Sequence, residues 1–411
     1  MESIIARCCG IDVHKARLTT CVRLSVEDRV VELVESFGTT TPDLLALREY
    51  LEAQAVTHVA MESTGVYWKC LYYALEDDFE LLLVNAAHIK HVPGRKTDTI
   101  DAAWIAQLLA CGLLRASLVP PKPIRRLRDL TRYRKALIEE RSRAVNRLHK
   151  ILEDAGVKLS CVATDVMGAS GRAMMRALID GQADPEALAE LARGRLRAKL
   201  PALRRALTGR FEEHHAFLLE RMLAHVEDLE SDIAALSGRI EEQIRPFEPA
   251  ITLLRSIPGV ERRAAEVIVA ETGADMSRFP SAGHLASWAG VCPGQNESAG
   301  KRKSAKTRKG SKWLRGTLTE CARAASRSRG TYLADRYRRL ARRRGDKKAT
   351  LAIAHEILCA CWHLLSTGEL YRQPAPGHTD EQTTERIRRR AVRQLQQQGY
   401  KVILEPLPEA A

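Results

Sequence analysis

The chain has 411 residues, 45% of them hydrophobic, which is enough to build two or three packed cores. No run of eighteen apolar residues offers a membrane span, and the first residues lack the basic and apolar stretches of a secretion signal, so a cytoplasmic protein is expected. Ten cysteines without a C-x-x-C pair exclude a zinc ribbon and predict reduced thiols, while 65 Lys and Arg against 51 Asp and Glu leave a net charge of +14.

The distribution of that charge says more than its sum. Basic residues bunch in 122–147, 192–210, 301–315 and 335–348. Clusters on several elements, with no amphipathic membrane anchor, point to a polyanion such as DNA or RNA.

Residues 1–122 read as α/β. CCGIDVHKARLTTCVRL and RVVELVESF predict an antiparallel meander. TPDLLALREYLEAQ predicts a helix with Thr41 as cap and Pro42 in its first turn. THVAMES is a short apolar strand, GVYWKCLYYALED a helix, FELLLVN a strand and TDTIDAAWIAQLLACGLL a helix. Three strands, helix, strand, helix, strand, helix is the order of an RNase-H-like domain.

From 123 to 245 strand signals vanish. Leu127, Leu130, Leu137, Ala144, Leu148 and Ile151 fall on three- and four-residue steps, and Leu219, Met222, Val226, Leu229, Ile233, Leu236 and Ile240 do so more cleanly. Both stretches fit long helices packing as a coiled coil, with each other or across a dimer. Arg134 and Arg141 break the first seam. Pro246 and Pro249 mark the start of a mostly helical unit, 246–371, and a polar tail occupies 372–411.

Four carboxylates stand where the predicted elements converge. Asp12 ends the first strand, Glu62 ends the fourth, and Asp98 and Asp101 open the last helix of the α/β region. Singly, each suits a plainer role: Asp98 with Asp101 resembles a helix cap with an acidic third position, Asp12 a turn, Glu62 a surface residue. Together, like charges at one sheet edge need cations between them, and two magnesium ions roughly 3.5–4 Å apart suit in-line displacement at a phosphodiester. His14, His88 and His91 are left as surface or capping groups.

LLRSIPGVERRAAEVIVAETG has the form of a helix-hairpin-helix, in which Gly259 lets the turn approach a phosphate or serves an ordinary helix connection. Further on, Lys301, Arg302, Lys303, Lys306, Arg308, Lys309, Lys312 and Arg315 follow Glu297 with no acid among them. So basic a stretch suits a phosphate cradle. Ser298 stands at its entrance beside Ala299 and Gly300; by composition alone an incidental serine in a charged, solvated loop is the better reading.

The run of GIDVHK, AMESTGVYW, KTDTIDAAWIAQLL, SIPGV and LASWAGVCPGQNESAGKRK…KGSKWLRGTL resembles the DEDD transposases of bacterial insertion sequences. These are the Piv/MooV-like recombinases, whose insertion-sequence members are guided by a bridge RNA. The resemblance spans roughly 5–120 and 250–370. It implies that Asp12, Glu62, Asp98 and Asp101 bind Mg2+ in a RuvC-like domain, and that Ser298, in a C-terminal transposase domain, forms a covalent phosphoserine with DNA. It further implies donor and target DNA as substrates, a structured RNA partner, and a homodimer or homotetramer. The family follows its serine directly with glycine, whereas Ala299 intervenes here; Ser298 keeps its spacing from Pro293, and Ser304 is the other candidate. A RuvC-like junction-resolving nuclease using water, and a non-enzymatic DNA-binding protein, are the competing readings of the same residues.

Overall fold

The computed structural model describes residues 4–26, 29–62, 65–85, 98–293, 296–298, 301–304, 307, 309–373, 388–389 and 392–404; for 98–100, 296–298 and 301–304 it describes the backbone. The chain divides into two compact units, Met1–Pro120 and Pro121–Ala411.

In the first unit, the elements are β1 (Arg7–Val13), β2 (Leu18–Val26), β3 (Arg29–Phe37), α1 (Thr41–Ala53), β4 (His58–Glu62), α2 (Trp68–Leu75), β5 (Glu80–Val84) and α3 (Asp98–Ala110). This is the order expected from the sequence. One sheet holds the strands as β3-β2-β1-β4-β5, with β1, β2 and β3 antiparallel and β4 and β5 parallel to β1. The central strand β1 is covered on both sides, which explains its apolar run Cys8–Ile11. Its Cys9, Ile11 and Val13 join Leu47 and Leu51 of α1 and Leu71 and Leu75 of α2 in one core. Cys8, on the opposite face, joins Ile105 and Leu109 of α3 in another. Between them Gly10 is the contact point: a Cβ there would stand 2.3 Å from the carbonyl oxygen of Ala102, so only glycine lets α3 settle on β1. The cap of α1 is Thr40, one residue before the expected Thr41, because the Asp43 carboxylate accepts hydrogen bonds from the Thr40 backbone N–H (3.1 Å) and hydroxyl (2.6 Å).

Among the described residues, the second unit is helical apart from one hairpin. It comprises α4 (Lys122–Asp154), α5 (Leu159–Val162), α6 (Ala169–Ile179), α7 (Pro185–Glu190), α8 (Leu200–Leu207), α9 (Glu213–Ile244), α10 (Glu248–Arg255), α11 (Arg262–Thr272), α12 (Ala282–Trp288), β6 (Asn296–Ser298), β7 (Lys301–Ser304), α13 (Lys312–Arg327), α14 (Tyr332–Arg344) and α15 (Asp346–Thr367). The long helices α4 and α9 lie against each other, with Leu137, Ala144 and Leu148 meeting Leu219, Leu223, Val226 and Leu229 in a shared core. The N-terminal half of α4 instead packs on α11, where Arg134, 4% exposed, donates to the Glu266 carboxylate at 2.7 Å. Arg141, the other break in the seam, reaches Glu230 on α9.

Among the described residues, α15 is the one helix long and apolar enough to cross a membrane by length and composition. Its apolar residues have a simpler use. Ile353, Ile357, Leu358 and Cys361 are buried, and α15 packs against α11's neighbour α10 and against α12, α13 and α14 as the central helix of this unit.

Candidate active site

Chain geometry carries all four of the predicted carboxylate positions to one end of the sheet. Side chains alternate along a strand, so Asp12 shares the face of Cys8 and Gly10, the face covered by α3. Glu62 shares the face of Ala60, which packs in the α3 core as well. The parallel β1–β4 register reaches Ile11 opposite Met61, so the next residues, Asp12 and Glu62, end neighbouring strands side by side. Helix α3 runs antiparallel to β1. The backbone N–H groups of Ile4 and Ile5 donate to Ala110 near the helix end (2.8 and 3.1 Å), the Cys8 thiol approaches the Ala106 carbonyl at 3.5 Å, and Gly10 abuts Ala102. Its first turn, with Asp98 and the half-buried Asp101, therefore arrives at the Asp12 end. The Asp98 side chain lies outside the described residues.

Asp12 is 7% exposed and its Oδ2 lies 3.0 Å from Nε2 of His14, a contact that reading His14 as a lone surface group misses. Across the ladder, Asp12 pairs with Thr19. Thr19 is 2% exposed, on the α3 face with Cys21, and its Oγ1 is buried with no hydrogen-bond partner among the described residues. A buried hydroxyl without a partner beside a buried carboxylate costs about 1–3 kcal/mol. No sequence motif marks Thr19; only the β1–β2 register finds it. Among the described residues no three His, Cys, Asp or Glu side chains are grouped closely enough to hold a metal ion. In donor chemistry the set fits a hard divalent cation: carboxylate oxygens at strand and helix ends, with an orphaned hydroxyl oxygen beside them.

In the second unit, the stretch expected to be a basic loop contains a two-stranded antiparallel ladder. Ser298 pairs with Lys301, Glu297 with Arg302 and Asn296 with Ser304, with a bulge at Asn296/Glu297. Ser298 thus occupies the last paired position before the strands connect, and Ser304 stands at the opposite end. The side chains of Ser298, Lys301, Arg302 and Lys303, and all of Lys306 and Arg308, lie outside the described residues. Lys309, Lys312 and Arg315 are exposed, the last two on α13.

What holds the base of this hairpin is well defined. Pro293 bridges Thr307. Gly310 presses on the backbone of Ala289 and Gly290, where a Cβ would come within 2.4 Å of the Ala289 carbonyl. Next in sequence, the Ser311 hydroxyl accepts from Leu314 N–H at 3.2 Å as the cap of α13 and donates to the Glu271 carboxylate at 2.9 Å. Glu271, 1% exposed, is also gripped in bidentate fashion by Arg132 of α4, at 2.6 and 2.9 Å. Arg128 adds hydrogen bonds to the carbonyls of Ala270 (3.0 Å) and Glu271 (2.7 Å). The exit of the serine hairpin is thereby wired to two helices.

The turn of the helix-hairpin-helix is present between α10 and α11, with Gly259 at φ +87°. Its missing side chain has a packing reason. A Cβ would lie 2.5 Å from the Cys321 carbonyl oxygen and 2.6 Å from Ala325 N, so the glycine lets α13 come close.

Two family models match the chain. A DEDD transposase family model (IS110 type), described as "Transposase", matches residues 9–156, and a second, described as "Transposase IS116/IS110/IS902 family", matches residues 251–338. The chain is 24% identical to a putative transposase, y4pF/y4sB, of Sinorhizobium fredii, over 83% of this chain and 78% of that protein. It is 27% identical to the uncharacterized 42 kDa protein of insertion element IS900 from Mycobacterium paratuberculosis, with 71% and 80% covered. A transposase for insertion sequence element IS1111A of Coxiella burnetii shares 26% identity, with 71% and 72% covered.

Proposed function

Since the chain belongs to the IS110/IS116/IS902 family of transposases, and is therefore a DNA-recombining enzyme, we propose that it cuts and rejoins DNA through a covalent phosphoserine at Ser298. The observation that supports metal-assisted cutting is the convergence of Asp12, Glu62 and the first turn of α3 at one end of the sheet, while the serine is assigned by the family resemblance. We read the first unit as an RNase-H, RuvC-like domain, on its strand order and on those carboxylates. Asp12, Glu62, Asp98 and Asp101 would hold Mg2+, which supplies charge stabilisation at a scissile phosphate when bound.

The Ser298 Oγ attacks phosphorus. A P–O bond to serine forms as the bond to the departing DNA oxygen breaks; the serine proton passes to solvent and the departing oxygen is protonated. A DNA hydroxyl then attacks the phosphoserine, restoring the serine and a phosphodiester, so the bond energy is conserved and no nucleotide cofactor is consumed. Lys301, Arg302, Lys303, Lys306, Arg308, Lys309, Lys312 and Arg315 would hold backbone phosphates, a sequence-independent role. Sequence choice would come from base pairing with a structured bridge RNA, the protein reading shape. We take 123–245 as a helical spacer suited to a homodimer or homotetramer, and place the protein in the cytoplasm with the nucleoid.

The test is a cleavage assay with labelled donor DNA, RNA transcribed from the flanking region, and magnesium, comparing wild type with Ser298→Ala on a denaturing protein gel. Label on the wild-type protein but not on the variant supports the phosphoserine. Free cleaved DNA from both proteins means water is the nucleophile and the junction-nuclease reading replaces this one. No cleavage by either, with binding intact, favours the DNA-binding reading.

A further inference from the structure

The richest run of positive charge that the serine hairpin does not absorb lies at the junction of α14 and α15. Residues 323–348 carry eleven Lys and Arg against two acids, Asp335 and Asp346. Some of these cations are spoken for: Arg336 pairs with Glu356 at 2.6 Å and Arg338 with Asp335 at 3.3 Å. Arg339, Arg342, Arg343, Arg344, Lys347 and Lys348 make no ion pair among the described residues, and all six are exposed.

Folding does not explain this arrangement. Helix α14 ends at Arg344, Gly345 turns the chain at φ +82°, and α15 begins at Asp346. Three arginines in the last turn of α14 suit its negative end. Lys347 and Lys348 in the first turn of α15 sit at the positive end of that helix, the wrong sign, and follow Arg339, Arg342, Arg343 and Arg344 within a few residues. A segment that is electrostatically unfavourable in the free protein is one that gains when a polyanion arrives.

We propose that this junction is a second nucleic-acid site, separate from the serine hairpin, which grips the phosphate backbone of duplex DNA. A membrane surface is a poor match, because the large apolar side chain Leu333 of α14 is turned into the core and no exposed apolar stripe accompanies the charges. Single strands are a poor match too, since they are held by stacking on free aromatic rings. The two tyrosines of α14 are half-buried and engaged: Tyr332 OH accepts from Arg336 at 3.3 Å, and Tyr337 OH donates to Asp346. A duplex offers about one charge per 1.7 Å of axis, so the rise of about 6 Å from Arg339 to Arg343 spans about three phosphate charges and leaves each arginine a phosphate of its own. The assignment to DNA rather than to a duplex stem of RNA rests on the proposed function; the cationic site itself does not.

The experiment is a salt titration of full-length protein with a labelled DNA duplex of arbitrary sequence in EDTA, where no strand is cut and neither Ser298 nor a metal matters. A variant carrying Arg339→Gln, Arg342→Gln, Arg343→Gln and Lys347→Gln is compared with a charge-matched control, Arg195→Gln, Arg210→Gln, Arg221→Gln and Arg245→Gln, all exposed in the same unit. The expected result is a slope of log K against log salt that flattens by about 3–4 in the junction variant, roughly 0.9 for each phosphate no longer neutralised, with the control slope unchanged. The junction variant should melt no lower than wild type, because repulsion is relieved; if it does melt lower, the four single variants must each flatten the slope by about 0.9. An unchanged slope, or equal flattening in the control, overturns the site. Flattening seen with an RNA duplex but not with DNA overturns the DNA assignment. None of these outcomes depends on the Ser298→Ala assay, so failure here and failure of the phosphoserine reading are separable.

Discussion

If Glu271 is the knot that fixes the base of the serine hairpin, a double-mutant cycle between Glu271 and Ser311 has a calculable result. Glu271→Ala removes a 1%-exposed carboxylate and leaves Arg132 without its bidentate partner. Breaking a fully buried pair in this way costs about 3–5 kcal/mol. Because the Arg132 side chain is 35% exposed and can turn toward water, the lower end, about 3 kcal/mol, is expected. Ser311→Ala removes the α13 cap, about 1 kcal/mol, and one hydrogen bond to a charged group, about 1.5–3 kcal/mol. That hydrogen bond is absent from both single variants. The double variant should therefore fall short of the summed costs by about 1.5–3 kcal/mol, against an additivity error of about 0.5 kcal/mol. The cycle is read by urea unfolding followed through fluorescence, and in parallel by the rate at which protease cuts within 294–310. Either single variant should speed that cleavage several-fold while the α/β unit stays resistant. Additive energies, or cleavage as slow as in wild type, would show that the hairpin base does not depend on Glu271.

Three further outcomes are expected. Asp12→Asn should abolish magnesium-dependent strand cleavage by about 10³-fold or more while leaving DNA affinity in EDTA unchanged, because the amide keeps the shape but loses the charge a cation needs. Gly259→Ala should lower stability by about 2–4 kcal/mol in thermal melts, since the new Cβ meets the Cys321 carbonyl at 2.5 Å from a positive-φ position; a fully stable variant with weakened DNA binding would instead make Gly259 a phosphate contact. At Glu230, burial raises the carboxyl pKa, but hydrogen bonds and charge from Arg141 and Arg172 outweigh it and leave the pKa lowered. Its contribution is then full above the ordinary glutamate pKa and fades as pH falls through the lowered one, so Glu230→Gln should destabilise at neutral pH and become silent in strong acid. A pH-independent penalty would mean that packing, not charge, holds that joint.

The two units differ in how much of them the amino-acid pattern discloses. In the first, every element is legible in order, because the covered strand β1 leaves a short apolar run and the helices keep their 3.6-residue period. Asp12, Glu62 and Asp101 can be placed at element ends, but which ends meet is a matter of register and direction. The neighbours Thr19 and His14 emerge only from the β1–β2 ladder and the close of β1. In the second unit, the hairpin around Ser298 reads as plain loop, because Asn296–Ser298 and Lys301–Ser304 are three and four residues long and carry no alternating apolar pattern. The Glu271 knot is invisible for a related reason: Arg132, Glu271 and Ser311 are 139 and 40 residues apart and lie on different helices.

The breaks in the seam of α4 show how an apparent fault in a pattern carries information. A uniform heptad seam would let α4 slide along α9 with little penalty, since every layer looks alike. Arg134 sits where α4 changes partner, from α11 to α9, and its buried bond to Glu266 is satisfied at one register only. Arg141 and Arg172 close on Glu230 two turns later and tie α9 and α6 to the same register. Buried ion pairs add little net stability compared with apolar contacts of the same volume, but a slipped register would strand the charges at a cost of about 3–5 kcal/mol. A helix held in this way keeps Arg132 under Glu271, and with it the base of the hairpin that carries Ser298. Replacing Arg134 and Glu266 together by Met and Leu should therefore leave melting temperature equal or higher, yet speed protease cutting within 294–310. A double variant that is both more stable and equally resistant there would mean that the ion pair plays no part in aligning the helix.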